Sequence, residues 1–331
     1  MSVSVGPNVT AMQETMRAPR QVRARRGDPA IGAGARVQAV IWTLIAATGA
    51  ADVVLYTAQG MSIAVNWAVP AYLGALFCVS KLIERRYPPA ARLLMAFVQL
   101  LTFCEVGGYL TYAVIAITPF PMADALLSRM DATLGFDWVG WFLFVKAHPV
   151  LHFILEKAYR SVPLQLVALL VFFAYADAKR IDETVLATIL SIALILVGMF
   201  FLPAVGAWTQ HGIGQTEPWR ADILALRSHE LLTVTTTKGI VCFPSFHTVC
   251  GVLLMNMARG RKWFAPVCVL NVILIASVMT EGAHYGVDML SGLAVAVMAI
   301  AASRSILGWY ERGHQKTFLL QRLARGEMLA Q

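Results

Sequence analysis

The sequence predicts an all-α fold: a polytopic transmembrane helix bundle of about six to eight spans, with interfacial helices on its outer face. Three observations carry this expectation. Of 331 residues, 58% are hydrophobic and only 14% charged, whereas an ordinary soluble domain is about 25% charged. Several stretches approach the roughly 20 apolar residues that a helix needs to cross the hydrocarbon layer. The Lys and Arg residues, which give a net charge of +8, sit in short clusters between those stretches, as the positive-inside rule requires. That clustering accounts for the basic balance without nucleic acid.

Apolar windows place spans at 37–56, 61–80, 93–118, 163–177, 185–205, 246–258, 264–282 and 287–303. An Arg-rich segment, 1–36, precedes the first and has no small-residue cleavage site, so it reads as a disordered basic tail before an uncleaved anchor. Every even-numbered connection is also basic. Lys81, Arg85, Arg86 and Arg92 follow the second span, Lys179 and Arg180 the fourth, Arg259, Arg261 and Lys262 the sixth, and Arg304, Arg312 and Lys316 the eighth. The expected organisation is a cytoplasmic tail (1–36), a transmembrane domain (37–305) and a second basic cytoplasmic tail (306–331) of a multi-pass cell membrane protein. No repeat or linker suggests a second folded domain. The five cysteines have no paired spacing and read as small packing residues.

The connections 57–60, 119–162, 206–245 and 283–286 then fall on the outer side. The 119–162 stretch carries Pro119, Pro121, Asp131, Gly135 and Asp137, with Trp138 and Trp141 suited to headgroup level, and reads as interfacial helices. The 206–245 stretch, with Trp208, His211, Pro218, Trp219 and Arg220, suits a cap over a site.

Two motifs carry chemistry. In T-E-G-A-H-Y-G-V-D-M-L-S-G, His284 and Asp288 are four apart, which on a helix puts both on one face. An Asp so placed holds one imidazole nitrogen protonated and frees the other. A pair that merely satisfies itself at a helix end is the alternative. In C-F-P-S-F-H-T, Pro244 is placed to open a helix with Ser245 and His247 in its first turn. Unpaired N–H groups at such a terminus suit a phosphate, although an N-cap Ser beside an interfacial His is the plainer reading. The topology joins the motifs, because His247 begins the sixth span and His284 ends the seventh on the same outer side.

P-S-F-H (Pro244 to His247) followed by H-Y-G-V-D (His284 to Asp288) resembles the second and third signature motifs of the type 2 phosphatidic acid phosphatase superfamily. The likeness is closest to its inositol phosphorylceramide synthase branch, where P-S-x-H-[ST] precedes H-Y-x-x-D with a following S-G. These motifs span the last third of the chain. Asp131 to Trp138 and Tyr159 to Gln165 resemble that branch more weakly. The resemblance implies His284 as nucleophile toward phosphorus, His247 as acid for the leaving oxygen, Asp288 orienting His284, and Ser245 contacting phosphate. It implies no metal and no cofactor. The location of these groups at the bilayer surface, flanked by aromatic residues, more than any motif, suggests a phospholipid, sphingolipid or polyprenyl phosphate as substrate.

The first family motif, Lys-x6-Arg-Pro, is absent, and Val278 stands where an Arg commonly precedes the third-motif His by six. Candidates for the missing phosphate cations are Lys157, Arg160, Lys238 and Arg227, with Arg160 and Lys238 foremost. Glu105, inside the third span, either lines a polar path or is hydrogen-bonded structurally. His148, His152 and His211 read as surface histidines. A transporter with a His/Asp proton relay is the rival from another class, as is a scaffold with a dead site; no inverted repeat supports the former.

The topology can be checked directly. With both termini inside, a cysteine introduced near Gly214 is expected to react with an impermeant thiol reagent only from outside; labelling only from the cytoplasmic side would overturn the outward-facing site.

Overall fold

The computed structural model describes residues 29–213 and 217–324. Most of the expected N-terminal tail and the Gly214 labelling position lie outside the described residues. Thirteen helices and almost no strand make the chain all-α among the described residues, in agreement with the sequence.

Each of the eight expected spans contains a helix, although in the second, 61–80, the helix starts only at Ala68, after a two-residue strand, β1 (Ser62–Ile63). The helices are α1 (Pro29–Ala58), α2 (Ala68–Ile83), α3 (Pro88–Ile117), α7 (Val162–Ala176), α8 (Ala178–Phe201), α11 (Phe246–Ala258), α12 (Phe264–Glu281) and α13 (Gly286–Ala324). Five of these, α1, α3, α8, α12 and α13, contain stretches long and apolar enough to cross a membrane; α2, α7 and α11 are shorter apolar helices. A helix of 13 residues such as α11 rises about 20 Å, short of the roughly 30 Å hydrocarbon core. Helical structure also enters the segments expected as tails, from Pro29 at one end and to Ala324 at the other.

The 119–162 connection folds into three short helices, α4 (Asp124–Thr133), α5 (Trp138–Ala147) and α6 (Pro149–Arg160). Proline at the start of α6 tolerates the missing N–H of a first turn, and the chain turns there by 108°. The 206–245 connection holds α9 (Ala207–Gln210), α10 (Pro218–Arg227) and β2 (Thr233–Val234), which pairs in parallel with β1 (Ser62–Ile63).

Helices α1, α3, α8 and α13 pack along one another, and α11 lies among α7, α8, α12 and α13. The seam is apolar: Ile195 and Met199 of α8, Val249 and Leu253 of α11, and Val295, Ala296 and Ala299 of α13 share one buried cluster. Small residues let backbones approach where no apolar driving force separates helix from lipid. A Cβ on Gly292 would lie 2.6 Å from the Ser245 carbonyl oxygen, and one on Gly198 would run into the Pro244 ring.

The polar ends of the bundle are segregated. At one end β1 pairs with β2, Arg227 donates to the carbonyls of Thr118 and Phe120, and Ala207 N–H donates to Ala283 O at 2.7 Å. All four connections expected on one side therefore meet there. At the other end Arg180 donates to Met257 O at 2.9 Å, Lys179 pairs with Glu311 at 2.7 Å, and Glu183 binds Arg259 and Arg304. The basic turns thus share the opposite end, as the alternating charge pattern requires.

Because Gly292 sets the α11–α13 approach, Gly292→Val is expected to destabilise the protein by about 1–3 kcal/mol through overpacking. Gly74→Ala, in α2 with open space around it, should be neutral or slightly stabilising. Thermal unfolding in detergent separates the two; equal melting temperatures would refute the close-approach account.

Candidate active site

The polar centre forms where α11, α12 and α13 begin or end. Helix α12 stops at Glu281, and Ala283 takes a left-handed φ of 57° that L-residues rarely adopt. Gly282 N–H and His284 N–H both donate to Val278 O, at 2.9 and 3.3 Å, which closes the end of the helix. His284 consequently sits in the turn before α13, not on a shared helical face with Asp288 as the spacing of four suggested. The contact survives by another route. Asp288 occupies the first turn of α13, where a carboxylate suits the positive end of the helix, and reaches back into the turn.

Both groups are buried, His284 at 3% exposure and Asp288 at 0%. The Oδ2 atom of Asp288 lies 3.2 Å from His284 Nδ1, accepts from Tyr285 N–H at 2.8 Å and accepts from the Cys242 thiol at 3.3 Å. A carboxylate only accepts, so the proton of the His284 ring belongs on Nδ1 and the lone pair on Nε2. The Cys242 thiol, buried and beside that carboxylate, is pushed well above its ordinary pKa, which keeps it a donor.

Ser245 is the N-cap of α11, one position before the helix, and not within the first turn. Its hydroxyl accepts from Thr248 N–H at 3.4 Å, and its own N–H donates to Asp288 O at 3.1 Å. The N-termini of α11 and α13 are thereby tied together. His247 follows in the first turn. Its ring stacks on Tyr159 of α6, with centroids 4.1 Å apart, and Tyr159 Oη lies 3.2 Å from His247 Nδ1. A Cβ on Gly282 would lie 2.8 Å from His284 Cδ2 and 3.0 Å from Tyr159 Oη, so Gly282 keeps open the gap between the two pairs.

Further side chains fix this arrangement. Asp131, 2% exposed, accepts from Gly286 N–H and Val287 N–H at 2.8 Å each, capping α13 from α4. Burial raises its pKa, and those two N–H groups oppose the rise. Trp138 Nε1–H donates to His284 O at 2.9 Å, and His211 stacks on the indole at 4.9 Å. Asp124 accepts from Gly206 N–H at 2.8 Å and from Tyr285 Oη–H at 3.0 Å.

The structure therefore brings together His284, Asp288, Ser245 and His247. It gives the expected cations other partners: Arg160 pairs with Glu156 at 3.1 Å, Lys238 with Asp222 at 2.8 Å, and Arg227 with carbonyls. His152 lies 3.1 Å from Glu281 and 2.7 Å from Lys146, a cation that inspection of the sequence passed over. Glu105 is exposed on α3. Asp52, an acid inside the first span that sequence reasoning missed, is buried with Oδ1 unpartnered among the described residues. Cys242 was expected only to pack; here it touches the Asp288 carboxylate. Its signal lay two residues before Pro244, next to the second motif.

Cys242, His284 and Asp288 each offer one ligand atom within 4.8 Å of the others, the one such group among the described residues. The thiol and Nδ1 already hydrogen-bond to Oδ2.

Two histidines, a buried carboxylate and a capped helix start, set at one end of a multi-helix bundle of membrane-spanning length, define a helical membrane enzyme-type site. The chain belongs to the PAP2 superfamily, whose family model matches residues 125–302, more than half its length. That match covers Ser245, His247, His284 and Asp288. No curated protein and no solved structure matches the chain.

The clamp on α13 can be tested by stability. Removing a buried acceptor orphans two N–H groups at about 1–3 kcal/mol each, so Asp131→Ala should lower stability by several kcal/mol. Asp137→Ala, which removes an exposed N-cap bond to Gly140 N, should cost about 1 kcal/mol. Similar losses of melting temperature in the two variants would contradict the assigned role.

Proposed function

We propose that this protein is an integral-membrane lipid phosphate phosphatase or phosphotransferase that works through a phosphohistidine on His284, without a metal, at the outer membrane face. The observation that carries this reading is the pairing of His284 Nδ1 with a fully buried Asp288 in a chain of the PAP2 superfamily. The Nε2 lone pair of His284 attacks phosphorus. The bond from phosphorus to the leaving oxygen breaks, and that oxygen takes a proton from His247. Water or an alcohol then displaces the phosphoryl group from His284, returning its proton to His247.

Charge on the transferring group is stabilised chiefly by positioned donors. The N-terminus of α11 with Ser245 supplies backbone N–H groups and a hydroxyl. Arg160 and Lys238 are the proposed cations, each exchanging a carboxylate partner for phosphate, and Arg160 adjoins Tyr159 in sequence. Water as acceptor makes a phosphatase, and a lipid or sugar hydroxyl makes a transferase. The missing first family motif and the S-G that follows Asp288 favour transfer of the inositol phosphorylceramide synthase type.

Incubation of purified protein with labelled lipid phosphates is the direct test: release or transfer of phosphate is expected, and transmembrane flux without either would favour the transporter. His284→Ala should abolish phosphoenzyme, whereas His247→Ala should still form it slowly from an activated aryl phosphate, whose leaving group needs no proton. Full activity of His284→Ala would end the mechanism. Tyr159→Phe should slow turnover of a natural lipid more than of the aryl phosphate, because the tyrosine acts through His247. Asp288→Asn, which offers a donor where the carboxylate accepted, should slow the chemical step by orders of magnitude with little change in affinity. Chelators should leave activity intact; loss restored by one divalent metal would instead assign Cys242, His284 and Asp288 to a metal site.

A further inference from the structure

A second feature lies at the opposite end of the same helices. Helix α11 packs closely against both α12 and α13, while α12 and α13 barely touch each other. The gap between them is a groove of about 450 Å³, walled by apolar side chains such as Val252, Phe264 and Val297 and headed by Arg259 and Arg304. Phe264 and Val297 are 38% and 63% exposed, so the groove is open along its apolar length.

The two guanidiniums are held but not exhausted. Glu183, 5% exposed, takes Arg259 Nη2–H at 2.5 Å and Arg304 Nε–H at 2.9 Å. Asn256 takes Arg259 Nη1–H on its backbone oxygen at 2.8 Å and Arg304 Nη2–H on its side-chain oxygen at 2.6 Å. Each guanidinium has five N–H donors, so three on each have no partner among the described residues. One carboxylate against two guanidiniums leaves the cluster with a net positive charge. Rigid, positively charged donors above an apolar trough complement a phosphate carrying hydrocarbon chains.

We propose that the α12–α13 groove binds one anionic phospholipid, its phosphate on Arg259 and Arg304 and an acyl chain along Val252, Phe264 and Val297. This site is separate from the histidines, which lie at the other ends of α11 and α13, and it does not depend on the proposed chemistry.

The test uses the full chain purified in mild detergent, with binding of phosphatidylglycerol and of phosphatidylcholine of equal chain length counted by native mass spectrometry. One phosphatidylglycerol per chain is expected to be retained under conditions that strip phosphatidylcholine. Arg304→Gln should weaken that retention about fivefold, the effect of one basic residue near a lipid surface. Ala301→Trp, which fills the groove and keeps both guanidiniums, should abolish it, and Val297→Trp does the same from an exposed position if Ala301→Trp does not fold. His284→Ala should retain the lipid fully. Equal retention of the two lipids, retention unchanged in the filled-groove variant, or loss in His284→Ala would overturn the proposal.

Discussion

The carboxylate of Asp288 is the point on which the polar end of this bundle depends. A single oxygen of it meets a histidine ring, a backbone N–H and a thiol, and the backbone carbonyl of the same residue holds the N-terminus of α11. Three segments, from the loop before α11, the turn after α12 and the start of α13, are therefore referred to one residue. A fully buried carboxylate is costly unless it is paired. Here the donors that meet Oδ2 also orient the imidazole, while Oδ1 has no partner among the described residues.

Support for that residue comes from outside the helices that carry the motifs. Asp131 on α4 and Trp138 on α5 brace the turn and the first N–H groups of α13, and Tyr159 on α6 brackets His247. The three short helices between α3 and α7 thus act as a clamp around the histidines. Loops and surface helices are free to vary where spanning helices must satisfy lipid. In this chain that freedom serves to hold two rings at fixed mutual orientation.

The two ends of the bundle show opposite solutions to buried charge. Near the histidines, acids accept from backbone N–H groups and neutral donors, leaving the site without a dedicated cation in direct contact. At the far end Glu183 is matched by two arginines. The asymmetry follows the charge distribution along the chain, since basic turns collect on one side and acids such as Asp124, Asp131 and Asp288 on the other. It also explains why the cations expected from the sequence stand beside carboxylates in this structure. Glu156 stands four residues before Arg160, a pairing legible in the sequence, whereas the competition of Asp222 for Lys238 follows only from how the chain folds.

By itself the sequence determined the helical class and the order of the apolar helices, because apolar length and the alternation of basic turns are local properties; it did not determine how many reach spanning length, five or six against the six to eight expected. It also determined the residues that meet at the polar end, His247, Ser245, His284 and Asp288, since antiparallel neighbours bring consecutive span ends together. Only the tertiary structure decided how they meet. Ala283 breaks the helix before His284, so the His–Asp contact is made across a turn; Trp138 and Tyr159 reach the histidines from 146 and 88 positions away, and Cys242 and Asp131 hold Asp288 and the first N–H groups of α13. Such contacts depend on crossing geometry, on Gly292 admitting the Ser245 carbonyl and on Gly282 leaving room beside Tyr159. These are properties of packed volumes, which no local pattern of residues encodes.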